Sequence, residues 1–264
     1  MLDFITDLAH QGGELALHLR KKMGRDLSGV SKKSTFRDVV SEADREVEDF
    51  VIEKIRERFP EHGIYAEENG RITSASPYCW VIDPIDGTAS YIHNQPGYSI
   101  SLALQYQGQS RYGAVYCPVL QELYAAEQGG GAYCNQEKIQ VCDHGSLAES
   151  QVSTGFSCLR SGWKKRNNLP YFCEIAKEAR EVRRFGSAAL DLCFVAAGKL
   201  DAFWELNLQL YDVAAGTLIV SEAGGQVSDL QGRDRWPQQG LLASNKRLHP
   251  DMLNFFQDYH REED

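Results

Sequence analysis

"CWVIDPIDGTASYIHN", residues 79–94, sets a short apolar run against two aspartates three positions apart, with Gly87 and Thr88 directly after them. Apolar residues running into acids and a glycine predict a strand that delivers its carboxylates to a loop. Pro84 biases Asp83 toward an extended backbone and fixes its own φ, so a sharp turn is expected straight after Asp83. Asp83, Asp86 and the Ile85 carbonyl would then face one side as a compact oxygen cluster. Gly87 permits close backbone approach, and Thr88 is placed to open a short helix reaching about His93. N–H groups at that helix start would point toward an anion. A plainer reading competes with this cradle for ions: "DG" between apolar residues is also a common hairpin-turn signal.

Working outward, the chain has 264 residues, enough for one large domain or two small ones. A chain of this size buries roughly 70–75% of its unfolded surface, so a sizeable core is expected. No apolar run approaches the ~20 residues that a membrane crossing needs. The N-terminus carries charges inside its apolar pattern and lacks a small-residue cleavage site, so it does not read as a signal peptide. Seven cysteines with no CxxC spacing argue against a zinc ribbon or a thioredoxin-type site. They predict free, mostly buried thiols in a reducing cytoplasm. A net charge of −9 argues against a general nucleic-acid binder. The short basic clusters "KKRNN" and "REVRR" read as solvated surface. For an anionic substrate, so acidic a protein needs cations in between, and metal ions are the natural candidates.

Apolar positions at Leu2, Ile5, Leu8, Ala9, Leu15, Ala16 and Leu19 predict a helix over 2–22, with Gly12-Gly13 as a point where it could bend. A second helix is expected from Ser41 to Phe59, with Ser41 as N-cap, Asp44 in a capping-box-like position and Pro60 after the end. From about residue 63 the pattern changes to short apolar runs that read as mostly antiparallel strands. Residues 146–185 are mixed. Helices are then expected over 187–197 and 211–223, the latter stopped by Gly224-Gly225, and a last one near 249–260. This order predicts an α+β or layered α/β fold. One catalytic domain over 1–264 is expected, its N-terminal half about 1–145 and its C-terminal half about 146–264.

Four acidic signals could meet across a cleft: Glu67-Glu68, Asp83 with Asp86, Glu205 and Asp212. All-oxygen donors suit Mg²⁺. With no histidine pair at i, i+4 and no suitable cysteine set, zinc fits poorly. Taken one at a time, each acid has a plainer reading. Glu67-Glu68 would be exposed loop charge, Glu205 a solvated strand residue, and Asp212 a first-turn acid favoured by a helix dipole. Haloacid-dehalogenase-type phosphatases place D-x-D-G-T after an apolar strand. Here the aspartates are one residue too far apart, and the nucleophile's position falls on Pro84, so that reading fails.

Larger motifs carry a resemblance. "WVIDPIDGT" (80–88) and "LYDVAAGTLIVSEAGG" (210–225) resemble the two signatures of the inositol monophosphatase family. "DVVSEAD" (38–44), "YAEE" (65–68), "GAVYCPVLQELYAAEQGGGAYCN" (113–135) and "RRFGSAALDLCFVAAGKLDAFWE" (183–205) fall in the family's order. The resemblance covers nearly the whole chain. It implies an αβαβα sandwich of the sugar-phosphatase type and Mg²⁺-dependent hydrolysis of a phosphate monoester by a metal-activated water, with two to three ions. Glu67, Asp83 and the Ile85 carbonyl resemble the ligands of one metal, and Asp83, Asp86 and Asp212 those of a second. Glu67 would also lie near a third. Asp44 and Thr88 resemble the pair that activates water, with Glu67 beside them. Gly87 and Thr88 would bind phosphate, while Asp86, Ser187, Ala188, Glu205 and Asp212 would line the substrate. Lys33 falls at a basic position near the site. Lithium sensitivity and a homodimer are further implications.

The chain departs from the family's frequent "GTTNF" at Ala89-Ser90-Tyr91, which touches substrate choice rather than metal ligands. Relatives acting on 3′-phosphoadenosine 5′-phosphate or histidinol phosphate often carry Lys or Arg where Ala89 stands. Its absence points to an inositol or sugar phosphate, with fructose 1,6-bisphosphate also in range. A regulatory binding protein on the same fold is the competing class. The intact ligand set argues against a purely non-enzymatic one.

Overall fold

A computed structural model describes residues 1–23, 30–32, 39–164, 167–237 and 240–261, without the side chains of 30–32, 39–41 and 257–261. Lys33 and the Ser41 side chain lie outside what is described. Helix α1 runs Leu2–Met23, the strands β1 (Val30–Lys32) and β2 (Val39–Ser41) pair with each other, and α2 follows at Glu42–Arg58. Gly12-Gly13 does not break α1. A Cβ on Gly13 would stand 2.3 Å from the Tyr116 ring, so the glycine serves close packing and not a bend.

An eight-stranded sheet comes next, built from β3 (Gly63–Ala66), β4 (Gly70–Ile72), β5 (Tyr78–Asp86), β6 (Ser99–Tyr106), β7 (Gln109–Cys117), β8 (Glu122–Glu127), β9 (Gly131–Cys134) and β10 (Glu137–Ile139). Its order is β10-β9-β8-β7-β6-β5-β3-β4. Every pairing is antiparallel except β3 with β5, so these two strands end side by side. The short α3 (Thr88–Ile92) follows β5.

The C-terminal sheet joins β11 (Gln151–Thr154), β12 (Glu181–Arg183), β13 (Ala202–Glu205), β14 (Gln226–Ser228) and β15 (Leu241–Ser244) in the order β12-β11-β13-β15-β14. Between its strands run α4 (Ser157–Arg160), α5 (Leu169–Glu178), α6 (Ala188–Ala196) and α7 (Leu210–Glu222), and α8 (His249–Arg261) closes the chain.

Apolar burial stacks these parts in five layers. Ile5 and Leu8 of α1 and Val47, Val51 and Ile55 of α2 pack on one face of the large sheet against Trp80, Ile82 and Leu102. Val81, Ala103 and Val115 on the other face meet α6 and α7, which also contact Phe203 and Ala243 of the small sheet. Tyr171 and Ile175 of α5 and Met252 and Phe256 of α8 cover that sheet's outer face. The result is the αβαβα sandwich. Every residue of α6 is buried, as expected for a helix sandwiched between two sheets.

Candidate active site

The 79–94 stretch departs from expectation at Pro84. β5 does not turn at Asp83 but continues to Asp86. Asp83 pairs with Ser101 and Asp86 with Ser99, so three steps along β5 match two along β6. The extra residue is a bulge, one of the few places in a sheet where proline's missing N–H is tolerated. Side chains alternate along a regular strand, so residues three apart point to opposite faces. One extra residue restores the parity and brings both aspartates to the same side.

Four helix N-termini converge on this strand end. Asp44 lies in the first turn of α2 and Asp212 in the first turn of α7, while Thr88 opens α3 and Ser187 caps α6. Acids in these turns are favoured by the positive end of the helix dipole. Asp212 therefore has both of its readings at once. Its Oδ2 accepts the Gln209 N–H at 2.6 Å, and it also faces the strand aspartates. Ligand oxygens of Asp83, Asp86 and Asp212 lie within 4.8 Å of one another. Glu67 follows β3 directly, its N–H bonded to the Ile82 carbonyl at 3.2 Å.

Asp86 is held by the C-terminal half of the chain. Its Oδ2 accepts the Ser187 hydroxyl and the Ala189 N–H, both at 2.7 Å. Ser187 is fully buried, receives the Leu190 N–H at 3.2 Å and lies 3.2 Å from the Ser99 hydroxyl. Its side chain thus orients Asp86. The Thr88 hydroxyl stands 3.2 Å from both Asp44 Oδ1 and the Ile85 carbonyl oxygen. Gly87 has φ 94, and a Cβ there would come within 2.6 Å of the Gly97 carbonyl oxygen, so only glycine fits. Beyond it, Ala89 is exposed while Ser90 is buried.

Glu205 is buried at the end of β13, contrary to the solvated-strand reading. Its Oε1 accepts the Ser157 N–H at 3.0 Å and the Ser157 hydroxyl at 2.8 Å. Ala188 lies beside Ser187 in the first turn of α6.

Desolvation dominates the electrostatics. Burial first, then the charges of Glu67 and Glu205, push the Asp86 carboxyl up to about 7 against its hydrogen bonds to Ser187 and Ala189. Asp212 is raised well above the usual range by burial and then by Asp86. Glu205 is raised by burial, opposed by its Ser157 hydrogen bonds and by Arg160 and Arg184. Buried like charges of this kind call for a counter-charge. An all-oxygen donor set at this spacing fits hard divalent cations.

Two contributors escaped the sequence reading. Glu48 is fully buried on α2, one turn after Asp44, and clamps the loop after Glu67. Its carboxylate accepts the Glu68 N–H at 2.9 Å and the Asn69 N–H at 2.7 Å. The available signal was an acid at i+4 from Asp44, beside the apolar stripe of Val47 and Val51. Arg184, read as solvated surface within "REVRR", favours the ionised forms of Glu205 and Asp191. The seven cysteines are free, but only Cys117, Cys158 and Cys193 are buried, and Cys173 is exposed.

Comparison with known proteins finds likeness along nearly the whole chain. The family model described as "Inositol monophosphatase family" matches residues 1–261. The Nus factor SuhB of Pseudomonas aeruginosa is 36% identical over 264 residues, covering 98% of this chain and 96% of that protein. A fructose-1,6-bisphosphatase/inositol-1-monophosphatase of Thermotoga maritima is 37% identical over 253 residues, 96% of this chain and 94% of its own length. The solved inositol monophosphatase from Anabaena superposes with a TM-score of 0.87 at 33% identity, covering 97% of this chain and 95% of its own.

Proposed function

The chain belongs to the inositol monophosphatase family and is a phosphomonoester hydrolase, and from that premise we propose that it hydrolyses myo-inositol monophosphate or a closely related polyol phosphate with Mg²⁺. The observation that carries this reading is the convergence of Asp83, Asp86 and Asp212 to within 4.8 Å. These carboxylates, with Glu67 and the Ile85 carbonyl, would hold two to three Mg²⁺ ions. Bound there, the ions would supply positive charge to the phosphate and acidify water.

The chain's own groups do the rest. The Thr88 hydroxyl can donate toward Asp44 while its lone pairs receive a hydrogen bond from the attacking water. Asp44 is then the acceptor toward which the proton moves. In-line attack by water requires no covalent intermediate. The N–H groups of Gly87 and Thr88 serve the phosphate. Ala188 and Glu205 face the alcohol, since a carboxylate accepts hydrogen bonds from hydroxyls. Ser187 contributes through Asp86. The small, uncharged Ala89 favours an inositol or sugar phosphate over 3′-phosphoadenosine 5′-phosphate or histidinol phosphate. The Thermotoga relative's double name supports breadth toward fructose 1,6-bisphosphate.

In this reading the whole chain acts as one catalytic unit, as a lithium-sensitive homodimer in the cytoplasm. Among the described residues no helix is long and apolar enough to cross a membrane. A second reading, a regulatory binding protein on the same fold, is favoured by the full-length likeness to a protein named as a Nus factor. Phosphate release from inositol 1-phosphate, fructose 1,6-bisphosphate, histidinol phosphate and 3′-phosphoadenosine 5′-phosphate, each with and without Mg²⁺, tests the assignment. Mg²⁺-dependent turnover highest on inositol 1-phosphate is expected. Release from none of the four would overturn it in favour of the regulatory reading.

A further inference from the structure

At the opposite end of β13 from Glu205, three donor groups of different chemistry meet. Cys142 and His144 stand on the loop after β10, and Asp201 immediately precedes β13. One ligand atom from each lies within 4.8 Å of the others. Cys142 Sγ is 2.7 Å and His144 Nδ1 2.8 Å from the same oxygen, Asp201 Oδ1. Asp201 is buried and fixed, its Oδ2 accepting the Gln151 N–H at 2.8 Å. Asn245 braces the loop, donating from Nδ2 to Cys142 Sγ at 3.2 Å and to the His144 carbonyl at 3.0 Å. His144 is exposed, so the cluster is open to solvent.

We propose that Cys142, His144 and Asp201 form a second metal site, one that takes a Zn²⁺-type transition-metal cation and is separate from the carboxylate cradle. The donor set makes the argument. Sulfur and imidazole nitrogen select Zn²⁺ or Co²⁺, whereas Mg²⁺ takes oxygen. Ligand bonds of about 2.0 Å to oxygen, 2.1 Å to nitrogen and 2.3 Å to sulfur place tetrahedral donors roughly 3.3–3.6 Å apart. Sγ and Nδ1 therefore need to withdraw from Asp201 by roughly 0.5–0.9 Å, a small rotation of each side chain. The Asn245 N–H directed at the sulfur is a second contact that orients it. On binding, the Cys142 proton leaves to solvent, and water completes the coordination.

The four residues of β13 separate this cluster from Glu205 by about 13 Å. An ion here would therefore staple the 142–144 loop to the sheet rather than touch phosphate. The competing arrangement is a metal-free knot in which thiol and imidazole both donate to Asp201.

Cobalt distinguishes the two. Full-length protein is stripped with chelator, saturated with Mg²⁺ to fill the oxygen sites, and titrated with Co²⁺. A near-ultraviolet thiolate-to-cobalt charge-transfer band, which carboxylate ligands cannot produce, is expected at one equivalent. C142S should abolish it, and H144Q should weaken binding on the order of 10–100-fold. The serine hydroxyl can still donate to Asp201, so C142S should keep its fold and its phosphate release. The proposal is overturned by absence of the band, by its persistence in C142S, or by H144Q leaving the affinity unmoved.

Discussion

Two buried polar clusters in this chain are built on opposite principles. His249, at the start of α8, is fully buried, with Nε2 2.9 Å from the Ser228 hydroxyl and Nδ1 2.7 Å from the Ser244 hydroxyl. Both ring nitrogens have a neutral partner, and burial alone lowers the imidazole to about 4. At the end of β5, by contrast, Asp83, Asp86 and Asp212 crowd together; burial with the charges of Glu67 and Glu205 raises Asp86, and burial with Asp86 raises Asp212. The first cluster is electrostatically complete and ties α8 to β14 and β15. The second is complete only with positive charge added. A polar group buried for stability closes its own hydrogen bonds, whereas one buried for binding leaves a deficit for its ligand to fill.

Breaking the deficit should have the largest effect. Asp86→Asn removes a charge while keeping an oxygen to accept from Ser187 and Ala189. Phosphate release should fall on the order of 100-fold or more, with the fold intact by circular dichroism. Near wild-type turnover would sink the assignment. The same cluster predicts an unusual pH response in metal-free protein. The folded carboxyl, at about 7, binds protons more readily than the unfolded one, at 3.8. Stability therefore rises as pH falls through 7 and levels off below the unfolded value. Between pH 8 and 4, chelator-treated wild type should gain about 4 kcal/mol relative to Asp86→Asn, read from denaturant midpoints. Saturating Mg²⁺ should erase the difference.

The His249 cluster should respond with the opposite sign. Its folded value, about 4, lies below the unfolded 6.5, so the unfolded chain takes up the proton first. The native state loses stability as pH falls through 6.5, and the loss is complete below 4. Compared with His249→Gln in saturating Mg²⁺, wild type should lose about 3 kcal/mol between pH 6.5 and 4. Parallel unfolding curves for the two proteins would show that the imidazole is not held neutral.

How legible these clusters were depended on how local their signals are. The helix over 2–22 announced itself because one face is wet, so its period of 3.6 survives, whereas the central strands β5 and β6 are buried on both faces and showed as short apolar runs between turn residues. α6 and α7 gave no such face, being apolar all round, and their place as the middle layer emerges only from packing. Residues 146–185 were opaque because β12 is three partly exposed residues, paired in parallel to a strand 30 positions earlier. At the site, spacing and motif pointed to Asp83, Asp86 and Asp212. The bulge that turns Pro84 from a strand terminator into a parity shift depends on β6. Glu48 and the Cys142–His144–Asp201 cluster depend likewise on partners distant in sequence.

Ser187 is the point where the two designs meet, and it sharpens the comparison most finely. It closes hydrogen bonds as the His249 partners do, yet the group it satisfies is a candidate ligand. Ser187→Ala leaves the Ala189 N–H on Asp86 Oδ2 and removes one charge-assisted hydrogen bond together with the N-cap of α6. The cap alone contributes about 1 kcal/mol, so a small loss of stability is expected under either account. A positioning role predicts more, because an Asp86 side chain freed to rotate presents its oxygens less well to a cation. The Mg²⁺ concentration giving half-maximal phosphate release should rise by roughly 5–10-fold, matching about 1–1.4 kcal/mol. Ser187→Thr, which keeps the hydroxyl, should restore it. Equal Mg²⁺ dependence in Ser187→Ala and wild type would reduce Ser187 to a helix cap and leave Asp86 held by Ala189 alone.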